Sequence, residues 1–434
     1  MMKTIANSLA VSSGRPLAML STAVLGLALS GEAFAAGAGG VTGQGSSVSF
    51  SDVSSPGGMR MIIGAEENND WAGAAVFFKR NDKGAWVQVK KVTEDLPVST
   101  QFGKSVSMSG KGTLAVVGAP HASSNAGAAY LYKFSDNTWQ RVTILTGKNV
   151  KGTAQQGESV FISYDGSTVF VGGKDDNDGI GAVWVYTLSG SEWKQQTKLV
   201  PKDAVVSGYD RPSFGYSISS SDTGDWVVIG GPGDNGGIGA AWVFQRKNGT
   251  WSQFGNKIVA SGGTDYQGQG RSVAMNNTGK VFVVGAPYDN SGKGSATLFV
   301  RESTTAPFSE KKRFQPNSVS QDYEVPNFGY SVAISARAGM IVVGEPGTLV
   351  STGNRGQVFS YSGQPDKDYT ANPVVKANPC QVLGESVAVS QSADFLLAGA
   401  PGTPPGEPSR GGACFYSKDG NKWTIQGGVI AYKP

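Results

Sequence analysis

The densest group of oxygen-bearing side chains in this 434-residue chain is Asp175-Asp176-Asn177-Asp178-Gly179. Carboxylate and amide oxygens that converge in one short loop can coordinate calcium or bind a polar ligand. The same residue types also form ordinary tight turns. Similar segments at Asn68-Asn69-Asp70, Asp234-Asn235-Gly236 and Tyr288-Asp289-Asn290 favour the turn interpretation. Asp175 and Asn177 remain as metal candidates, but we predict no metal and no cofactor.

Aromatic and charged side chains accompany these acidic turns. Aromatic rings can stack on sugar faces while Asp and Asn side chains bond to sugar hydroxyls, and loops on a rigid scaffold commonly carry such sites. The residues predicted to bind a ligand are Trp71, His121, Asp176, Asp178, Asp234, Asn235, Tyr288, Asp289 and Arg355. The alternative for each of them is an exposed loop residue without a ligand.

The sequence contains few combinations of residues that are typical of a catalytic site. His121 is the only histidine, so a Ser-His-Asp triad would have to use it, and no nucleophile elbow accompanies it. A paired-carboxylate glycosidase would need two acids at a set separation, which the sequence does not give for Glu158, Glu385 and the loop aspartates. We therefore predict no catalytic residues and no enzyme, with a hydrolase or lyase acting on a polysaccharide as the alternative.

The composition indicates which elements position these residues. Glycine contributes 62 of 434 residues, about twice its usual share of roughly 7%. Charged residues make up only 16%, which argues against coiled coils and long surface helices. Hydrophobic residues at 39% and aromatic residues at 10% suffice for a packed core and argue against disorder. The net charge of +4, without a long run of Lys and Arg, excludes a nucleic-acid-binding stripe.

Much of this glycine belongs to a repeat. A Gly-x-Ser-Val/Ile step opens an alternating apolar segment, which is typical of a strand. An apolar run ending in glycine follows, then a third strand that opens with glycine, then a more polar strand with an aromatic residue. The seven steps begin at Gly45, Gly103, Gly157, Gly215, Gly270, Gly329 and Gly384. The fourth-strand aromatics are Trp86, Trp139, Trp193, Trp251, Phe308 and Trp423, with Tyr369 a poor match in the sixth repeat.

Seven such units predict an all-β fold, a seven-bladed β-propeller of four-stranded antiparallel blades. One four-stranded sheet cannot bury both faces alone, and radial stacking of the units solves this. An open β-solenoid is the alternative. We place the propeller at residues 36–434, with repeats starting near 43, 101, 155, 213, 268, 327 and 382. Ring closure by face packing or by the segment Ala36–Thr42 stays open.

A propeller also brings the variable residue of each Gly-x-Ser step towards the central channel. These residues are Ser46, Lys104, Glu158, Tyr216, Arg271, Tyr330 and Glu385. Two bases, two acids and two tyrosines in one ring could form a polar pocket, or could simply neutralise one another.

The unit from Phe102-Gly103-Lys104-Ser105-Val106 through Val116-Val117-Gly118-Ala119-Pro120 to Gly127-Ala128-Ala129-Tyr130 resembles the FG-GAP repeat. This repeat builds the N-terminal propeller of integrin α-subunits and occurs in many secreted bacterial proteins. Phe214-Gly215 and Phe328-Gly329 open further close copies, and the resemblance spans roughly residues 43 to 430. It implies a seven-bladed propeller, whereas it indicates little about function, because the family is mostly defined by its propeller.

Integrin-type repeats often bind calcium through an Asp-x-Asp/Asn-x-Asp-Gly loop between the first two strands. The equivalent loops here include Ser109-Gly110-Lys111-Gly112, Tyr164-Asp165-Gly166-Ser167 and Asp222-Thr223-Gly224-Asp225, and none supplies the acidic set. The usual calcium sites are therefore expected to be absent.

The first 35 residues resemble a secretory signal peptide. Lys3 and Arg15 are basic, Leu17 to Leu29 is apolar, and Ala33-Phe34-Ala35 supplies a cleavage site. The apolar stretch falls short of the roughly 18 residues needed for a membrane anchor. We predict cleavage near Ala35 and a secreted, periplasmic or cell-surface protein.

The two cysteines, Cys380 and Cys414, could form a disulfide in an oxidising compartment or could be two unrelated small hydrophobic residues. Their spacing does not decide between these alternatives.

Together these features predict an exported, monomeric propeller without a transmembrane segment. We expect loops on one face to bind a glycan or a cell-surface protein. The alternatives are a hydrolase or lyase acting on a polysaccharide in the channel, and a non-catalytic structural component of the cell envelope.

Overall fold

The structure is a computed structural model that describes residues 43–52, 58–316, 325–349, 355–376, 379–402 and 411–432. The predicted signal peptide and the segment Ala36–Thr42 lie outside these residues. Seven antiparallel sheets follow one another along the chain and form a ring, because the first strand of each sheet contacts the first strands of the sheets on either side. The predicted seven-bladed β-propeller is therefore confirmed.

Each blade is built from consecutive strands that run outwards from the channel. The strands of blades 1 to 4 are β1 (Gln44–Phe50), β2 (Arg60–Ala65), β3 (Ala74–Arg80), β4 (Trp86–Val92), β5 (Val106–Met108), β6 (Leu114–Ala119), β7 (Ala128–Ser135), β8 (Thr138–Leu145), β9 (Ser159–Ile162), β10 (Thr168–Gly173), β11 (Ala182–Ser189), β12 (Glu192–Leu199), β13 (Ser217–Ser220), β14 (Trp226–Gly231), β15 (Ala240–Lys247) and β16 (Thr250–Gln253). The strands of blades 5 to 7 are β17 (Ser272–Met275), β18 (Val281–Ala286), β19 (Ser295–Val300), β20 (Ser309–Phe314), β21 (Ser331–Ile334), β22 (Met340–Leu349), β23 (Arg355–Gly363), β24 (Tyr369–Ala371), β25 (Val375–Lys376), β26 (Val387–Val389), β27 (Phe395–Ala400), β28 (Gly412–Asp419) and β29 (Lys422–Ile425).

The sixth blade departs from the pattern. Its outer edge is split between β24 and β25, which both pair with β23. This split explains why Tyr369, which opens β24, matched the fourth-strand pattern poorly.

Four-residue helical turns join the second and third strands of blades 1 to 5. They are α1 (Asn68–Trp71), α2 (Ala122–Asn125), α3 (Asp176–Gly179), α4 (Asp234–Gly237) and α5 (Asp289–Gly292). The two central residues of each turn have left-handed dihedrals. Across the described ranges, no helix has the length and apolar character needed to span a membrane.

The hydrophobic core lies between the blades. Every residue of β10 is buried, and its side chains alternate between the two neighbouring blades. Val169 and Val171 pack with residues of blade 2, whereas Phe170 packs with residues of blade 4. The apolar runs of the sequence therefore form strands that are buried on both faces, as predicted.

Hydrogen bonds around the channel connect each blade to the next. The serine of every Gly-x-Ser step donates its hydroxyl to the glycine carbonyl of the following step, at 2.6–3.0 Å. The seven pairs, donor first, are Ser47–Gly103, Ser105–Gly157, Ser159–Gly215, Ser217–Gly270, Ser272–Gly329, Ser331–Gly384 and Ser386–Gly45. We call this set the serine belt, and its last bond joins blade 7 to blade 1.

Face packing also joins blade 7 to blade 1. The rings of Phe50 and Phe415 meet edge to face at 6.0 Å. The backbone N–H of Tyr432 donates to Oε1 of Gln44 at 2.6 Å. Within the described residues, each of these two blades has four strands of its own, so their contact does not require an exchanged strand.

A second set of glycines makes the serine belt sterically possible. The glycine that ends the apolar run of each blade lies directly against the acceptor carbonyl of the next blade, so a Cβ would overlap that oxygen. These glycines are Gly64, Gly118, Gly172, Gly230, Gly285, Gly344 and Gly399. Their role is close approach of two backbones, which only glycine permits.

Gly118→Ala tests this packing. We expect the free energy of unfolding to fall by about 1–3 kcal/mol, because the added methyl group must displace backbone of the next blade. The control is Gly428→Ala, whose Cβ would meet no atom within 4 Å, and which should change stability by about 0.5 kcal/mol or less. Equal effects of the two substitutions in urea unfolding would contradict the close-approach role.

The structure pairs Cys380, in the connection between β25 and β26, with Cys414 in β28, and their Cα atoms are 6.5 Å apart. The double variant C380A/C414A should lose about 3–4 kcal/mol of unfolding free energy, because the bridge restricts a 34-residue loop of the unfolded chain. Urea unfolding with and without a reducing agent measures this. The native chain should respond to reduction and the double variant should not, and an unresponsive native chain would show that the bridge does not form.

Candidate active site

One face of the ring gathers the Gly-x-Ser steps, the turns α1–α5 and the connections between blades. In an antiparallel blade, the start of the first strand lies beside the end of the second, the start of the third and the end of the fourth. All these segments therefore surround the same end of the channel, which we call the mouth. Loops at such an edge are positioned by a rigid scaffold.

The innermost residues at the mouth are the variable residues of the Gly-x-Ser steps. The guanidinium carbon of Arg271 lies 4.7 Å from the ring centroid of Tyr216 and 4.2 Å from that of Tyr330. The Tyr330 hydroxyl in turn donates a hydrogen bond to the Glu385 carboxylate. Among the described residues, no carboxylate is within ion-pair distance of the Arg271 guanidinium. Two aromatic faces thus hold this cation in place and leave its N–H groups without a carboxylate partner.

Two ion pairs complete the ring on its other side. Lys104 Nζ lies 2.9 Å from Glu66 Oε2, and Lys174 Nζ lies 2.9 Å from Glu158 Oε2. Burial alone would lower the pKa of Lys104, but Glu66 and Glu158 outweigh it and raise that pKa. Lys174 also approaches the Tyr216 ring, at 5.6 Å from its centroid. The polar residues proposed from the sequence are therefore grouped at the mouth, where these two pairs neutralise their charges, and the group contains two members that the sequence reasoning missed.

The missed residues, Glu66 and Lys174, had a signal in the sequence. They follow the glycine that ends the apolar run by two positions. In the other five repeats that position is proline: Pro120, Pro232, Pro287, Pro346 and Pro401. Proline has no charged group. Its replacement in repeats 1 and 3 therefore identifies the two blades that add charged side chains to the mouth.

Three carboxyl groups at the mouth have raised pKa values. Burial raises the pKa of Glu385, and the Tyr330 hydrogen bond and Arg271 only partly offset this. Burial, together with Glu66 and Glu385, raises the pKa of Glu67. Burial also raises the pKa of Asp175, against the opposing charge of Lys174. A cleft that shifts several pKa values in this way is a candidate for general acid–base catalysis.

The channel beyond the mouth has a mixed lining. A cavity of about 330 Å³ lies between the inner strands, where apolar side chains such as Val106 and Ile218 alternate with polar ones such as Ser107, Asn277 and Asp222. At the far end, loops of successive blades bond to one another, and the Tyr164 hydroxyl donates to Asp52 Oδ2 at 2.7 Å. Acids therefore occur at both ends of the channel, and burial, together with Asp165 and Asp52, raises the pKa of Asp222 at the far end.

The structure gives three of the predicted ligand-binding residues a structural role instead. The carboxylates of Asp176, Asp234 and Asp289 are buried, and each is paired with a cation from the fourth strand or the segment after it in the same blade: Lys198, Lys257 and Arg313 respectively. Their Oδ1 atoms accept N–H groups of the preceding connection, from Lys151, Val205 and Thr264. These carboxylates lie inside the fold and are not presented to a ligand.

The other predicted residues are spread over the face. Asp178, Asn235 and Arg355 are exposed, and Asn177 is half-buried. Tyr288 is 38% exposed and lies beside Arg271 at the mouth. Within the described ranges, no three His, Cys, Asp or Glu side chains are grouped so as to hold a metal ion.

Trp71 and His121 are the two predicted residues that the structure brings together. They line a second pocket of about 330 Å³ with Ser99, Gln101 and Asn125. His121 Nδ1 lies 2.7 Å from Asn125 Oδ1. This pocket is at the rim of the mouth, between blades 1 and 2.

Comparison with known families identifies the repeat. The FG-GAP repeat model matches residues 86–132, which contain most of one blade. Together with the seven-bladed ring, this match shows an FG-GAP-like propeller, as the sequence resemblance implied. A search of the curated proteins finds no match.

Several solved structures share the fold. A protein from Lactobacillus plantarum is 10% identical with a TM-score of 0.59, and the alignment covers 86% of this chain and 96% of that one. The periplasmic gluconolactonase of Pseudomonas aeruginosa is 12% identical with a TM-score of 0.57, covering 82% and 92%. A candidate 6-phosphogluconolactonase from Bacteroides uniformis is 12% identical with a TM-score of 0.61, covering 86% and 96%.

These neighbours correct the functional prediction from the sequence. Two of them are named as lactonases, and none of the three is named as an adhesion protein. The predicted adhesion or binding module without catalysis is therefore not supported. The alternative of a hydrolase acting at the channel agrees better with these neighbours.

The buried pair of Asp289 and Arg313 gives a test of the structural assignment. Burial alone would raise the pKa of Asp289, but hydrogen bonds from Arg313 and Thr264 lower it below its ordinary value. A carboxyl with a lowered folded-state pKa stabilises the fold above its unfolded pKa of about 3.9, and this contribution is lost as the pH falls through the folded pKa.

Arg313→Met should therefore lower the unfolding free energy at neutral pH by about 3–5 kcal/mol, because it leaves a buried unpaired carboxylate. The difference from the native chain should shrink when the pH is lowered from about 5 to about 2.5. Urea unfolding across this range measures both effects, with the exposed Arg337→Met as control. A small, pH-independent difference would contradict the structural role of Asp289.

Proposed function

We propose that the chain is a hydrolase that opens the ester ring of a neutral sugar lactone at the mouth of the channel. The observation that carries this proposal is Arg271, a cation held between Tyr216 and Tyr330 without a carboxylate ion pair, next to Glu385 with its raised pKa. Ester hydrolysis is favoured by a base that activates water and by a cation that stabilises the negative charge on the carbonyl oxygen.

Hydrolysis of a lactone needs a base for water and a donor for the carbonyl oxygen. Water attacks the carbonyl carbon, and negative charge develops on the carbonyl oxygen in the transition state. The Arg271 guanidinium has N–H groups that can donate to this oxygen. Glu385 accepts the proton of the attacking water, and its raised pKa makes it a better base than an ordinary glutamate.

The second half of the reaction uses the same two groups. When the tetrahedral intermediate collapses, the bond between the carbonyl carbon and the ring oxygen breaks. The ring oxygen leaves as an alcohol by taking the proton that Glu385 holds. The product is an open-chain hydroxy acid, and Glu385 returns to its carboxylate form. The hydrogen bond from Tyr330 keeps the Glu385 carboxyl group in one orientation throughout.

The charges at the mouth favour a neutral substrate. Lys104, Lys174 and Arg271 supply three cations. Five carboxyl groups face them, from Glu66, Glu67, Glu158, Asp175 and Glu385. Both lysines are already paired with glutamates, and the proposed reaction uses Arg271 for the carbonyl oxygen, so none of these three cations is left for a phosphate group. The paired ions are suited to hydrogen bonds with sugar hydroxyls. Of the two lactone types named among the structural neighbours, the unphosphorylated one therefore fits better.

The first experiment is hydrolysis of D-glucono-1,5-lactone by the purified chain, corrected for spontaneous hydrolysis. We expect turnover of this lactone to be faster than that of its 6-phosphate. Arg271→Ala should lower kcat about 10²–10³-fold, whereas Arg337→Ala, an exposed arginine on the opposite face, should leave it unchanged. Unfolding curves check that both variants are folded. Absence of lactone turnover, or turnover of a polysaccharide instead, would refute the proposal.

The pH dependence tests the role of Glu385. The base must be deprotonated, so kcat/KM should rise with pH through an apparent pKa above the ordinary value of 4.5 for glutamate. Glu385→Gln should lose this dependence and reduce kcat by about 10²–10⁴-fold. An unchanged pH profile in this variant would exclude Glu385 as the base.

A further inference from the structure

The turns of blades 1 and 2 differ from those of blades 3, 4 and 5 at their last residue. In α3, α4 and α5 this residue is Gly179, Gly237 and Gly292, with φ between 82° and 84°. In α1 and α2 it is Trp71 and Asn125, with φ of 65° and 68°. A left-handed conformation costs roughly 1–2 kcal/mol for a residue with a side chain. A bulky residue such as Trp71 is unusual there.

In the connections between blades, large and small side chains are distributed the other way round. In blades 3 to 5 a large side chain of the following connection lies over the glycine and leaves no room for a Cβ. These covering residues are Arg211, Tyr266 and Val325. The equivalent residues after blades 1 and 2 are small, Ser99 and Thr153. In these two blades the turn therefore carries the side chain, and the connection leaves the space open.

The combination of a side chain on the turn and a small residue in the connection creates the second pocket. Its volume of about 330 Å³ is at the lower end of the roughly 300–1,000 Å³ typical of small-molecule sites. The Trp71 side chain is 43% exposed, and the other lining residues, Ser99, Gln101, His121 and Asn125, offer hydroxyl, amide and imidazole groups. Among the residues that the structure describes, no carboxylate, lysine or arginine lines it. An indole face surrounded by neutral polar groups matches a pyranose ring, which has an apolar C–H face and hydroxyls at its edge.

The pocket adjoins the residues of the mouth. His121 interacts electrostatically with Asp175, which also interacts with Glu158. On the other side of the pocket, Glu67 directly precedes the turn that carries Trp71, and it interacts with Lys104 and Glu385. A ligand that occupies the mouth can therefore extend into this pocket along the blade 1 and blade 2 side.

We infer that this pocket is a subsite for a second sugar ring, so that the preferred substrate is the lactone of a glycosylated aldonic acid. This inference rests on the proposed lactonase function. Trp71 stacks on the distal ring, while Asn125, Gln101 and Ser99 bond to its hydroxyls. The lactone ring occupies the mouth beside Arg271.

The kinetic test compares cellobiono-1,5-lactone with D-glucono-1,5-lactone. The native chain should have a higher kcat/KM for the disaccharide lactone. Trp71→Asn introduces the residue that blade 2 has at this position, and Asn tolerates left-handed φ. It should reduce the ratio of the two kcat/KM values about tenfold, the equivalent of about 1.4 kcal/mol. The control is Tyr209→Ala, because Tyr209 is a fully exposed aromatic on the same face. An unchanged ratio in Trp71→Asn would overturn the inference.

A binding test separates failure of the subsite from failure of the proposed function. Cellobiose has no lactone, so its binding does not depend on hydrolysis. We expect cellobiose to change the tryptophan fluorescence of the native chain and of Tyr209→Ala, but not that of Trp71→Asn. If no lactone is hydrolysed and this response is still seen, the lactonase proposal fails and the sugar subsite stands. If glucono-1,5-lactone is hydrolysed and cellobiose does not bind, the subsite is wrong and the lactonase proposal stands. A melting temperature for Trp71→Asn close to that of the native chain excludes misfolding as the cause.

Discussion

The hydrogen bond from a serine hydroxyl to the glycine carbonyl of the next blade determines the geometry of the channel. It occurs at all seven blade contacts, with lengths of 2.6–3.0 Å, and it joins the last blade to the first. Because the acceptor carbonyl lies against a glycine that ends an apolar run, neighbouring backbones approach more closely than any Cβ would allow. This contact accounts for two glycines in every blade, or 14 of the 62 glycines of the chain.

The serine belt also explains how a repetitive fold provides an asymmetric site. One residue stands between each glycine and serine, and the belt brings all seven of these residues to the channel mouth. The backbone at this step is repeated in every blade, so the chemistry of the mouth depends on which side chain each repeat has there and on the charged residues Glu66 and Lys174 that blades 1 and 3 add. Arg271 between two tyrosines, with Glu385 beyond Tyr330, lies on one side of the ring. The lysine–glutamate pairs lie on the other.

The sequence was sufficient for the architecture because the fold depends on strictly repeated features: glycine positions, strand periodicity and a constant interval. It was a poorer guide to the site. Asp176, Asp234 and Asp289 looked like ligand residues because they are acidic and lie in turns, but each is buried against a cation that is more than twenty residues away in sequence. Glu66 and Lys174 can be recognised as site residues only by comparison with the prolines that the other five repeats have at the same position. The predicted binding or adhesion role was wrong, and the FG-GAP resemblance could not have corrected it, because that repeat specifies a scaffold rather than a chemistry.

The central claim is that catalysis takes place at the mouth, between Arg271 and Glu385. The most direct test is a crystal structure of the chain with D-glucono-1,5-lactam, in which an amide replaces the ester and resists hydrolysis. The account predicts the lactam carbonyl oxygen within hydrogen-bond distance of the Arg271 guanidinium, and a water molecule between the carbonyl carbon and Glu385. A lactam bound in the cavity between the inner strands or on the opposite face of the ring would contradict it.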